Sequence, residues 1–401
     1  PLENPGMERI RRWSAWLCLA ILCGCDADAP AESFTDMTES GIPWVHSSGD
    51  GTWGDDEHWT TEVLLSLGTI EGDTTQQFGT VGGVALVGDT VVVLDRQAQA
   101  IRLFTTDGSS VRSFGERGDG PGEFAYADGV VSTEPGVIHV LDARRPAVLE
   151  FSTDGLLIRS FPHVFGTDGG ATGRLRVEDA TYDWIFDFSD RDYSVPGSRG
   201  SVLRYRPIRV DHASSSVDTF PAVLFDRNDV GGASNPLDGG IHVAPTADPQ
   251  QFWFVTGPEY QVALRTLDGD TLRILSLDDF DRVDVSAGIA DSLRGIDPAR
   301  AEGLPAEFPA IDFLVSDGEG HLLVFPHAAG IERRSLIDVF DEASGEYLGR
   351  VQLPIPLASF PLPVASEGRL VAAADGPFGT KQVVLLRIGA PRGRPDPGFS
   401  N

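Results

Sequence analysis

A unit of 47 residues occurs twice in the first half of the chain, and no other property of the sequence narrows its architecture as far. Asp95 and Asp142 are 47 positions apart, as are Phe104 and Phe151, and the pairs Asp107-Gly108 and Asp154-Gly155. In each copy an apolar run, Thr90-Val91-Val92-Val93-Leu94-Asp95 or Val137-Ile138-His139-Val140-Leu141-Asp142, leads into a short polar loop. A second run ends in Phe104 or Phe151, and an Asp-Gly turn follows. Val, Ile, Leu and Phe in such runs, punctuated by Gly, specify short antiparallel strands joined by hairpins. Asp-Gly suits the turns because both residues tolerate positive φ. A unit of roughly 40–50 residues holds about four such strands, and it cannot cover its own apolar faces, so copies must pack against one another.

Two motifs carry a resemblance. One is Leu94-Asp95 through Ile101-Arg102-Leu103-Phe104 to Asp107-Gly108, and the other is Gly115-x-x-Gly118-x-Gly120-Pro121-Gly122-Glu123-Phe124. On these the chain resembles the NHL-repeat six-bladed β-propellers of bacterial envelopes, over roughly residues 60–389. The resemblance implies an all-β, six-bladed propeller, and it is specific for fold and not for activity. Blades are expected at about 78–115, 124–161, 170–224, 238–276, 309–353 and 357–389, with the longest internal loop in the third. Residues 277–308 break the strand pattern, and Val285 to Ile296 is expected to form a short surface helix. Glu62 to Leu67 has no hairpin partner in sequence, whereas the last blade lacks its outer strand. This early strand is therefore expected to complete the last blade and close the ring, which removes an exposed edge. The domain boundaries that follow are 59–389 for the propeller and 390–401 for a disordered tail rich in Pro, Gly and Arg.

Residues 1–25 have the form of a leader and lipoprotein signal peptide. Met7-Glu8-Arg9-Ile10-Arg11-Arg12 is a basic start, and Trp13 to Leu22 is an apolar run too short to span a bilayer. Leu22-Cys23-Gly24-Cys25 resembles a bacterial lipobox, which implies diacylglyceryl attachment at Cys25. Asp26, directly after it, matches the inner-membrane retention position of enterobacterial lipoproteins. Residues 26–58, rich in Asp, Ser, Thr, Gly and Pro, are expected to be a flexible tether with a reach of roughly 30 Å. The lipid is expected to be the only membrane attachment, on an exported monomer in the cell envelope. Losing residues 1–24 removes Glu3, Glu8, Arg9, Arg11 and Arg12 and moves the net charge from −29 to −30. So acidic a chain makes nucleic acid and anionic lipid poor partners. No cysteine follows Cys25, so no disulfide holds the propeller together and thiol catalysis is excluded.

In a propeller, the loops from second to third strand and from blade to blade share one face, around the mouth of the central channel. The second-to-third loops here carry Arg96, Arg144 and Arg145, then Arg191, Tyr193 and Arg199, then Glu259 and Tyr260. The fifth blade adds His327, Glu332, Arg333 and Arg334, and the sixth Phe378 and Lys381. These bases make that face less acidic than the rest. Guanidinium groups grip carboxylate, sulfate or phosphate in bidentate fashion, and Tyr193 and Tyr260 are candidate stacking surfaces. The competing reading is of solvated loop charges paired with neighbours such as Asp190 and Asp192. The expected function is therefore a binding module for an envelope protein or an anionic glycan or peptide, without a cofactor. The alternative is a hydrolase or lyase with a divalent metal in the channel, its ligands drawn singly from several blades. The eight histidines show no metal-site spacing, and His139 and His321 are expected to be half-buried, hydrogen-bonded strand residues. Arg117-Gly118-Asp119 lies within the Gly-rich connection, where it serves a tight turn.

Overall fold

The runs Thr90–Asp95 and Val137–Asp142 are apolar almost throughout because both faces of each sheet are covered. Val91 and Val93 pack with Val371, Ala373 and Leu385, whereas Val92 and Leu94 pack with Ile138, Val140 and Phe151. Successive residues thus enter two different cores, one on each side of the blade. In the computed structural model, residues 33–54, 57–71, 73–132, 135–145, 147–162, 176–178, 182–192, 201–211, 216–221, 223–227, 242–255, 257–296, 304–376 and 379–390 are described. They form six sheets, antiparallel but for one parallel pair in the fourth blade. Innermost strands of consecutive blades lie side by side: Val81–Val87 beside Ala127–Val131, His242–Pro245 beside Ile311–Ser316, and Val364–Ser366 beside both Ile311–Ser316 and Val81–Val87. The chain is a six-bladed β-propeller.

The ring closes as its sequence implies. Thr60–Leu67 runs antiparallel to Lys381–Gly389, with Leu65 opposite Leu385, as the outer strand of the sixth blade. The expected helix lies at Ala287–Ile296. In the third blade, two eleven-residue strands, Tyr182–Asp192 and Ser201–Asp211, pair along their length.

Asp-Gly turns join third to fourth strands in the first, second and fourth blades, and a Ser344-Gly345 turn does so in the fifth. Gly108, Gly155, Gly269 and Gly345 all take positive φ there. A second constraint adds to this at Gly155, where a Cβ would stand 2.9 Å from the Phe114 ring of the preceding blade. The turn glycine therefore serves the hairpin and the blade-to-blade contact together.

The tether expectation fails over residues 33–47. Ser33–Met37 and Pro43–Ser47 form a hairpin, and the second strand runs parallel to Thr271–Leu277, so the fourth blade has six strands. Val45 drives this, because it is buried against Leu275 in the core between the fourth and fifth blades. The chain then follows the fifth blade: Thr52 and Trp53 donate to the carbonyls of Tyr347 and Leu348 (3.2 and 2.9 Å), and Trp53 stacks on Trp59 at 5.5 Å. What reads as a spacer is, from residue 33 on, a strap over the fourth and fifth blades. Residues 1–32, with Cys25 and Asp26, and the tail from 391 lie outside the described residues.

Candidate functional site

The second strands of the first two blades end on buried aspartates that build the loops beyond them. Asp142 accepts from the backbone N–H of Ala125 (2.7 Å), Tyr126 (2.9 Å), Arg144 (3.2 Å) and Arg145 (3.1 Å). Asp95 accepts from Gly79 (3.2 Å), Ala98 (3.1 Å) and the Arg102 guanidinium (2.8 Å). Each carboxylate ties a second-to-third loop to the connection entering its own blade, so the mouth loops are pinned to the sheets. Gln99, fully buried at φ 56°, adds a bridge between blades, donating to Arg96 O at 2.6 Å and accepting from Ala127 N at 2.6 Å.

The innermost strands bulge at one repeated place, with register shifts spanning Gly82, Asp128 and Asp312. A bulge re-aims the extra residue's side chain, and here it supplies carboxylates to the mouth arginines. Arg96 donates to Asp128 at 2.7 Å and lies over the Phe360 ring at 5.2 Å. Gly82 leaves it room, since a Cβ there would stand 2.8 Å from the Arg96 Cβ. On the fifth blade, Arg333 Nε donates to both oxygens of Asp312 at 2.7 Å, and its Nη2 also bonds Oδ1. Arg334 reaches the same carboxylate only to 3.8 Å.

The remaining candidates divide. Arg145 is not free for a ligand: it donates to Gly118 O at 2.9 Å and holds the Gly-rich connection closed, with Asp142 3.8 Å away. Its neighbour Arg144 is exposed, and among the described residues its guanidinium has no ion-pair partner. Lys381 pairs with Asp375, and Glu259 with Arg282 at 2.7 Å. Tyr260 presents no stacking surface. It is buried, and its hydroxyl donates to Asp338 at 2.7 Å, in a cluster with Tyr347 and Arg350 between the fourth and fifth blades. Burial, then Asp338, pushes its pKa well up. Arg191 lies on the strand Tyr182–Asp192, opposite Leu203. Tyr193, Arg199 and Phe378 fall outside the described residues.

His327 stays with the arginines beside which the sequence places it. It is 9% exposed, and its ring lies 4.5 Å from that of Phe308, which Arg333 also covers. Burial, then the Arg333 charge, lowers its pKa and keeps it neutral. The strand histidines behave as hydrogen-bonded side chains: His139 is buried 3.4 Å from Glu150, and half-buried His321 bonds Asp317 at 2.7 Å. Among the described residues, no group of three or more His, Cys, Asp or Glu side chains is placed to hold a metal ion.

Comparison with known proteins agrees with this architecture. Residues 61–187 match the DUF5128 family, described as a 6-bladed beta-propeller. The chain is similar in fold to a DUF4221 family member from Bacteroides vulgatus, at 9% identity and TM-score 0.55, over 84% of this chain and 100% of that one. A protein of Bacteroides fragilis assigned as exported is 13% identical over 86% of this chain and 99% of its own, with TM-score 0.49. No curated protein matches the sequence.

Proposed function

We propose that the chain is a binding module of the cell envelope, an NHL-type propeller held to a membrane by lipid at Cys25. Its ligand, an envelope protein or an anionic glycan or peptide, sits over the channel mouth. The observation that carries this reading is the arc of cationic side chains on one face, Arg96, Arg144, Arg333 and Arg334, on loops fixed by Asp95, Asp128, Asp142 and Asp312. Such fixing lowers the ordering cost of gripping an anion. In a chain of net charge −29, no composition effect places bases there. The basic start, the apolar run and Leu22-Cys23-Gly24-Cys25 support export and anchoring. Among the described residues, no helix is long and apolar enough to cross a membrane.

The test is calorimetric titration of the purified chain with carboxylated, sulfated and neutral sugars, and with divalent metals before and after a chelator. The acidic sugars are expected to bind, and Arg144→Glu to weaken them without moving the unfolding midpoint. Equal binding of neutral and acidic sugars would refute the reading. A midpoint that falls with chelator and returns with one metal would favour the metal-dependent hydrolase or lyase instead.

A further inference from the structure

The corner of the fifth blade has one charge too many. Two guanidinium groups, Arg333 and Arg334, face the single carboxylate of Asp312, whose side chain is 4% exposed. The next carboxylate acting on Arg334, Asp375, is already paired with Lys381. The corner also holds buried polar atoms without partners: among the described residues, Nε of Arg334 and Nδ1 of His327 make no hydrogen bond. Protein interiors rarely leave such groups unpaired, because each forfeits its hydration with no return. Arg334 is strained as well. Its φ of 63° is a left-handed conformation that a long side chain adopts at a cost. The backbone there is held from outside, since Leu357 N donates to Arg334 O at 3.0 Å. Phe308 forms the apolar floor, within reach of both Arg333 and His327.

Resting on the binding reading above, we infer that Arg334, His327 and Arg333 form the seat for one carboxylate of the ligand. A carboxylate fits each deficit. Its single negative charge balances the surplus guanidinium, and its oxygens accept from Arg334 Nε–H and from the neutral imidazole carrying its proton on Nδ1. A dianionic phosphate would overfill a corner with one net positive charge. A uronic acid and a peptide carboxylate present the same group, so the chemistry names the class and the assay separates the sources.

The test uses the purified chain, with glucuronate and N-acetylglycine as acidic probes and glucose and inorganic phosphate as controls. The decisive variant is Arg334→Gly, which removes the guanidinium and also relieves the positive φ. If Arg334 serves a ligand, this variant unfolds at the same temperature as the parent or higher, yet binds the acidic probe at least about tenfold more weakly. His327→Ala should weaken the same probe, and whichever of the two acids binds more tightly identifies the source. Carboxylate binding unchanged in Arg334→Gly and His327→Ala, but lost in Arg144→Glu, overturns the seat and leaves the binding reading intact. Phosphate bound more tightly than either acid overturns the ligand class. An Arg334→Gly chain that unfolds at lower temperature, with carboxylate affinity unchanged, makes the residue structural. No binding of any anion overturns the seat and the anion reading together.

Discussion

Asp338 allows a quantitative test of how the fourth and fifth blades are held together. Its carboxylate is fully buried and accepts four hydrogen bonds: from Tyr260 Oη (2.7 Å), Tyr347 Oη (3.2 Å), and Arg350 Nε (2.6 Å) and Nη2 (3.0 Å). Asp338→Asn keeps the shape but removes the charge facing Arg350, and it turns one acceptor into a donor aimed at groups that already donate. Breaking a buried pair from one side costs about 3–5 kcal/mol. The lower end applies here, because the Arg350 side chain is 37% exposed and water can screen what remains. For about 330 folded residues at ~2.1 cal/mol/K each, the entropy of unfolding is ~0.7 kcal/mol/K, so ~3 kcal/mol lowers the midpoint by about 4 °C. Tyr347→Phe, losing only the longest of the four bonds, should cost ~1 kcal/mol or less. Replacing the whole cluster, with Asp338→Leu, Arg350→Met, Tyr260→Phe and Tyr347→Phe together, should recover most of the loss, since no buried charge or hydroxyl is then left unpaired. Differential scanning calorimetry decides the matter. A midpoint for Asp338→Asn within 1 °C of the parent would show that the cluster contributes nothing net.

Three further outcomes are expected. Deleting residues 33–49 should cost roughly 3–6 kcal/mol, because Val45 loses its site and Leu275 and Leu277 lose their cover; light scattering should show aggregation through the bared edge of the fourth blade, and unchanged scattering with an unchanged midpoint would restore the tether. Gly155→Ala should destabilise by about 1–2 kcal/mol, from positive φ and the close Phe114 ring; a neutral result by urea titration would count against the double role of that turn. The pair of His321 and Asp317 sets a pH window. The hydrogen bond to Asp317 raises His321, so its contribution is complete below the unfolded value of 6.5 and is lost as pH rises through the higher folded value. Bonds from His321 and the backbone of Glu319 outweigh burial and lower Asp317, so that contribution holds above 3.8 and is lost as pH falls through the lower folded value. Midpoints measured against pH should therefore fall on both sides of the range from about 4 to 6.5, and His321→Gln should remove the alkaline limb and shrink the acid one, which the backbone bonds to Asp317 still support. Parallel curves for parent and variant would contradict this.

The architecture was legible because it repeats. Asp95 and Asp142, Phe104 and Phe151, and the Asp-Gly turns have the same structural tasks in both blades, so spacing alone exposes them. The hairpin at 33–47 was not legible. Its strands are five residues each, the first wholly exposed, and what fixes them is Thr271–Leu277, more than two hundred residues away. The site shows the same division. The tie between Asp142 and Arg145, three residues apart, is a local pattern that the sequence contains, whereas Asp312 lies 21 residues before Arg333 and Asp338 lies 78 after Tyr260. Tyr260 reads as a loop residue and is a core residue, because its position says nothing of the carboxylate that a neighbouring blade brings to it. His327 was placed in the mouth loop by its position after the second strand, but nothing local marks its contact with Phe308, 19 residues before it.

The claim that the mouth face is the working face is tested most directly by photo-crosslinking in cells. A crosslinking side chain is placed at Arg144, beside the channel mouth, and in a second strain at Asp154, on the turns of the opposite face; both positions are exposed. A crosslinked species from position 144 that is absent from position 154, and lost when Arg334→Gly is added, is the predicted result. Crosslinks from position 154 alone would place the ligand on the other face and contradict the account.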